Sequence, residues 1–301
     1  MAIYQGPIID AHHHLWDLSL QRHHWLAPSG HGDGLAPLRR NFLVDDYLEQ
    51  ARCANIVATV HAEANWDPGD RTGETEWLDS LERPDGIAAR YVAFAALASP
   101  DIETTLEGLA SHSRVTGIRE ILSWHPDPAK TRTADAEMMK SADWLKGLAA
   151  MQRRDLSFDL LISPWQLADT LRLALDHPHM RFIVNHCGSP MDRDADGIAR
   201  WRDGLRALAK ADNVTLKISD PVAYDPQWTV ESLAEIVRHC IDCFGPGRCM
   251  FASDYPVSSL HISFAEWLAV FSKIVNDLSD SEKHSVFYDC AQEVYRVPVR
   301  D

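Results

Sequence analysis

The stretch S157-F-D-L-L-I-S-P-W-Q-L-A-D-T-L-R-L-A-L-D-H-P-H-M-R-F-I-V-N-H186 holds one full cycle of a repeating unit. Residues 157–162 and 181–186 are short apolar runs of strand length, and Trp165 to Leu175 carries apolar residues at helical spacing. Two strands with a helix between them cannot be joined by a hairpin, so the crossover favours parallel pairing.

Outward from this unit the same order recurs. Further apolar runs lie at I8-I-D10, I56-V-A-T-V-H61, R90-Y-V-A-F-A95, G117-I-R-E-I121, N213-V-T-L-K-I-S219 and R248-C-M-F-A-S253. Helical spacing marks Val44 to Ala54, the stretches from Glu103 and Trp144, Trp201 to Ala209, Leu233 to Cys243 and Phe264 to Leu278. A last helix is expected around Glu282 to Tyr295. Eight strand–helix units in 301 residues predict an α/β chain folded as one (β/α)8 TIM-type barrel domain over residues 1–301. An open nucleotide-binding sheet is disfavoured, because no G-x-G-x-x-G follows the first run and no G-x-x-x-x-G-K-[ST] occurs. The connection from Trp16 to Leu43, with H23-H24-W25-L and G30-H-G-D-G34, predicts an extended loop after the first strand that partly covers the barrel mouth.

A net charge of −15 argues against a nucleic acid backbone or an anionic membrane as partner. No window approaches the roughly twenty apolar residues of a membrane helix, and the start M1-A-I-Y-Q-G-P has no signal-peptide pattern. A cytoplasmic protein is expected, with a homodimer as the base-rate assembly. The six cysteines include C240-I-D-C243 and Cys249, whose spacing allows a metal or redox site; buried or half-buried thiols are the expectation, since the stretch is helical and leads into an apolar run.

In a parallel barrel, chemistry gathers where strands leave the C-terminal face. The first run ends in D10-A-H12-H-H14, the sixth in N185-H186, the eighth in S253-D254. Residues two apart on a strand share a face, so His12 and His14 point into one mouth and His13 away. Imidazoles there can bind zinc or move protons near neutral pH. Asp254 is the candidate general base. Arg119 is expected to orient an anionic or hydroxyl-rich substrate through its planar fork; an internal salt bridge is its alternative. Lys217 shares the face of Thr215 and Ser219, which permits either a pocket-facing charge or a structural pair. His61 and Glu63 share a face near the second strand exit, where they could contact a substrate hydroxyl directly or through a neighbour, and Trp25 and Trp124 are the aromatic candidates to cover a flat ring. His125 is a pocket-rim candidate, with an exposed surface residue as the alternative.

The set D10-A-H12-H-H14-L-W-D17, W25-L26, G117-I-R119, F182-I-V-N-H186-C-G-S-P, N213-V-T-L-K217-I-S219 and F244-G-P-G-R248-C-M-F-A-S-D254-Y-P resembles the amidohydrolase-2, lactonase-like branch of the amidohydrolase superfamily, over essentially the whole chain. The resemblance implies that His12, His14, His186 and Asp254 are the catalytic residues and the ligands of any metal. It implies hydrolysis of a small lactone: a sugar-acid lactone foremost, a pyrone- or muconolactone-like carboxylated lactone next. Metal-dependent nonoxidative decarboxylation of an aromatic acid is a further alternative, and a noncatalytic small-molecule-binding barrel another. No organic cofactor is expected. The fifth strand offers no histidine and the fourth offers Arg119 and Glu120 rather than lysine, so one divalent ion, zinc foremost, or none is expected instead of two. Asn185 stands where the branch commonly has aspartate, and Asp220 where glycine is usual.

Overall fold

The computed structural model describes residues 3–28 and 33–298; the G30-H-G32 part of the first long loop lies outside them. Eight parallel strands pair in chain order: β1 (Ile8–His13), β2 (Ile56–Ala62), β3 (Arg90–Phe94), β4 (Val115–Ile121), β5 (Ser157–Leu161), β6 (Phe182–Val184), β7 (Val214–Ile218) and β8 (Cys249–Phe251). A parallel bridge between His13 and Tyr255 draws the two ends together. There Asp254 N–H donates to His12 O at 2.8 Å and His14 N–H to Tyr255 O at 2.7 Å. The result is a nearly closed (β/α)8 TIM barrel.

Period-2 alternation builds its two cores. Outward residues such as Phe158, Leu160, Leu216 and Phe251 pack against the helices, while Ile9, Val60, Val92, Ile183 and Met250 fill the interior. The helices form where apolar spacing meets a cap: Ser141 caps Ala142–Arg153, Thr229 caps Val230–Phe244, and Ser263 caps Phe264–Ile274. One helix, Gly73–Ser80, had no clear sequence signal. Its buried face is Glu74, Thr75 and Leu78, so two of its three inward residues are polar and the apolar spacing is missing.

The last helix runs through a π turn, Ser285–Asp289, into Cys290–Tyr295. Its residues Cys290, Ala291 and Tyr295 pack on the interior cluster. Arg296, just beyond, bonds to Asp155 ahead of β5, so this segment covers the N-terminal end of the barrel. The opposite end stays open for the site. There the long first loop is pinned by a Trp16–Phe42 bridge, with both N–H···O bonds at 2.9 Å. Cys240 and Cys249 are buried and Cys243 half-buried, as expected, and all six thiols are free.

Candidate active site

The strand exits build the site. β1 carries His12, and His14 follows its end; β4 carries Arg119; His186, Asp220 and Asp254 follow β6, β7 and β8. Between Asp10 and His13, three steps of β1 oppose two of β2, from Thr59 to His61, which is a bulge. The backbone is left-handed at His186, Cys187, Gly188 and Ser189 in succession, and again at Asp220 and Asp254. For non-glycine residues this conformation costs on the order of 1 kcal/mol each. It is held by Gly188 N–H on Asn185 O at 2.9 Å and Ser189 N–H on His186 O at 2.8 Å. The turns aim His186, Asp220 and Asp254 into one cavity of about 730 Å³.

Asp254 is buried, with Oδ1 3.2 Å from His14 Nε2 and 3.3 Å from His12 Nε2. Burial alone would raise its pKa, but His186, the hydrogen bond with His14 and Arg119 outweigh it and hold the carboxylate below its ordinary range. His186 is pushed down to about 4, first by burial. His12 is also pushed well below its ordinary value, by burial and then by Lys217. His14 Nδ1 lies 2.8 Å from Ala62 O, a group that only accepts, so the hydrogen is on Nδ1. In the neutral ring its Nε2 is then a bare lone pair facing the Asp254 carboxylate. Two acceptors at 3.2 Å need a proton or a cation between them.

His12, His186 and Asp254 each offer one ligand atom, all within 4.8 Å of one another. Two imidazoles and a carboxylate suit a divalent ion such as zinc, and the lone pair of His14 points to the same place. The residues fit one ion. Cations flank the His12 ring, Arg119 Nη1 at 3.2 Å and Lys217 Nζ at 3.4 Å.

The remaining expected residues divide. Arg119 and Trp25 line the cavity with His14, His186 and Asp254. Trp25 is fixed by its indole N–H on Ala64 O at 2.9 Å. Arg119 also makes the internal salt bridge named as its alternative, Nε to Glu63 Oε1 at 2.7 Å and Nη2 to Glu63 O at 2.6 Å. Glu63 thus acts on the cavity through Arg119. His61 turns to Glu74, at 3.2 Å, behind the wall; burial pushes His61 well down, and burial with Glu63 pushes Glu74 up to about 8. Lys217 lies beneath His12, its Nζ 2.6 Å from Asp159 Oδ2. Trp124 is held by its backbone, its N–H donating to Gln166 Oε1 at 2.9 Å, and is not among the lining residues.

Sequence reading missed several lining residues. Asp220 was noted only as a departure; Tyr224, Lys130, Arg132 and Arg193 come from loops without periodic pattern. Burial, then the charge and hydrogen bond of Asp254, push Asp220 well above the carboxylate range. His125 is not a surface residue: it is buried and its Nε2 meets both oxygens of Asp192 at 3.0 Å. Lys130, Trp165 and Arg200 converge on the same carboxylate, which clasps the loop after β4 to the loop after β6.

A parallel barrel with histidines and an aspartate converging at its C-terminal mouth is the architecture of a hydrolytic enzyme with an optional metal. The amidohydrolase family model matches residues 9–297, and the chain belongs to that family. It is 36% identical over 294 residues to the uncharacterized protein y4mH of Sinorhizobium fredii, covering 96% of this chain and 98% of that one. It is 28% identical over 304 residues to an L-fucono-1,5-lactonase of Burkholderia multivorans, covering 96% of each. The crystal structure of a Burkholderia multivorans amidohydrolase with bound zinc superposes with a TM-score of 0.84 at 25% identity, over 97% of this chain and 100% of that one. No helix among the described residues is long and apolar enough to cross a membrane.

Proposed function

We propose that the protein hydrolyses the ester bond of a small lactone, foremost a sugar-acid lactone, with water activated by Asp254. The observation that carries this reading is Asp254 itself: a buried carboxylate lining the cavity and held ionised by His186, His14 and Arg119. Similarity to an L-fucono-1,5-lactonase supports the substrate class.

In this reading Asp254 takes a proton from water as the water oxygen bonds to the lactone carbonyl carbon. Electron density moves to the carbonyl oxygen, and Arg119 supplies a fixed positive charge beside it. The carbon–ring-oxygen bond then breaks, and the proton on Asp254 passes to the departing oxygen, leaving a hydroxy acid. His14 Nε2 and His12 Nε2 lie beside Asp254 Oδ1 at 3.2 and 3.3 Å, and Trp25 covers one side of the ring. If a zinc ion is held by His12, His186 and Asp254, with His14 beside them, it supplies Lewis acidity toward the water and the carbonyl.

A carboxylated lactone is the second reading, because Lys130, Arg132 and Arg193 all line this cavity in a chain of net charge −15. Proton release on a panel of aldonolactones and carboxylated lactones tests both, with Asp254→Asn and with metal-depleted and zinc-loaded samples. Expected is turnover that falls by about 10²–10⁴ in the variant. No turnover of any lactone, with carbon dioxide released from an aromatic acid instead, would refute the assignment.

A further inference from the structure

We propose that Asp220 is a specificity-determining residue that hydrogen-bonds the hydroxyl on the carbon next to the lactone carbonyl. This rests on the lactonase reading and narrows its substrate to 2-hydroxy lactones. Three observations carry it. Asp220 is 5% exposed yet lines the cavity together with Asp254. Its Oδ1 has no hydrogen-bond partner in the protein, a state that a buried carboxyl keeps only when something else completes it. It is also held in place: its backbone is left-handed at φ 43°, it opens the turn Pro221–Tyr224, and its carbonyl accepts from Ala223 N–H at 3.2 Å.

The position of the hydroxyl follows from the neighbour. The Asp220 carboxyl lines the cavity beside that of Asp254, close enough for the Asp254 charge to push its pKa up. The attacking water must touch Asp254 and stand about 3–3.5 Å from the carbonyl carbon. A second carboxyl at that spot reaches the substituent on the adjoining carbon and falls short of the far end of the ring.

The test compares an aldonolactone with its 2-deoxy counterpart as substrates for the wild type, Asp220→Ala and Asp220→Asn, with kcat and KM measured separately. The wild type is expected to prefer the hydroxylated lactone by at least about tenfold in kcat/KM, the equivalent of one hydrogen bond. Asp220→Ala should bring that preference to within about threefold of unity by losing activity on the hydroxylated lactone alone. Asp220→Asn, which keeps the volume and a hydrogen-bonding oxygen, should retain part of it and serves the comparison if the alanine variant does not fold. An undiminished preference in both variants overturns the inference, and so does an equal loss on both lactones. In either case wild-type lactone turnover stands, so the lactonase reading survives; absence of wild-type turnover overturns both.

Discussion

Replacing Lys217 by methionine separates a structural ion pair from a substrate contact. Lys217 Nζ and Asp159 Oδ2 lie 2.6 Å apart with both side chains wholly buried. Removing one partner of a buried pair costs about 3–5 kcal/mol, because the other charge is left without compensation. Here Asp159 keeps Tyr295 OH, at 2.9 and 3.0 Å, and Asn185 Nδ2, at 2.9 Å. That places the expected loss near the lower end, about 3 kcal/mol. An unfolding entropy of about 2.1 cal/mol/K per residue, over 301 residues, amounts to about 0.6 kcal/mol/K. The melting temperature should therefore fall by about 5 °C. The double variant Lys217→Met/Asp159→Asn, which removes both charges, should recover most of the loss. Thermal and urea unfolding of the three proteins measure this. A Lys217→Met protein that melts within about 1 °C of wild type, or a double variant no better than the single, would refute the reasoning. Kinetics give a second reading. Lys217 meets His12 and not the cavity, so kcat should fall while KM moves by less than about threefold; a KM effect alone would return Lys217 to the substrate.

The Asp192 clasp predicts a pH effect. Burial opposes ionisation there, but hydrogen bonds from Lys130, His125 and Trp165 dominate and bring its pKa from 3.8 to about 2. A lowered carboxylate pKa stabilises the fold above the unfolded value and is lost as pH falls from about 4 to 2. Urea titrations between those limits should show wild type losing up to about 2 kcal/mol that Asp192→Asn does not lose; parallel curves would exclude the clasp. For the metal, zinc titration followed by elemental analysis should give no more than one ion per chain, and Asp254→Ala/His186→Ala should lose it; two ions retained by wild type would refute a one-ion site. Trp25→Ala should raise the lactone KM several-fold and Trp25→Phe less, since phenylalanine keeps a ring face and loses only the bond to Ala64 O; equal effects would remove ring stacking as the cause.

What the sequence disclosed follows from what periodicity can encode. Strand, helix and apolar face are set by local repeats, so the barrel and its eight exits were readable, and with them His12, His14, His186 and Asp254. The bulge in β1 was not readable, because a strand of six residues carries too few alternations to reveal one unpaired step. The rim was invisible for a different reason. Lys130, Asp192 and Arg193 sit in loops where no repeat fixes direction, and long-range ion pairs place them, Lys130 with Asp192 and Arg193 with Asp225.

Lys217 shows where the strand argument itself stops. Alternation in V214-T-L-K217-I assigns it to the interior face, and there the structure puts it. But a barrel interior is layered, and the layer a residue occupies depends on strand tilt and stagger, which are properties of all eight strands together. Face is local and depth is collective. A lysine one layer lower meets Asp159 and Tyr295 in place of substrate, and acts on the cavity through the His12 ring it touches. Arg119, on the same interior face at β4, has the reach to join both layers: its fork grips Glu63 while its side chain lines the cavity. The sequence put both cations on the interior face; stagger makes one a wall of the site and the other its foundation.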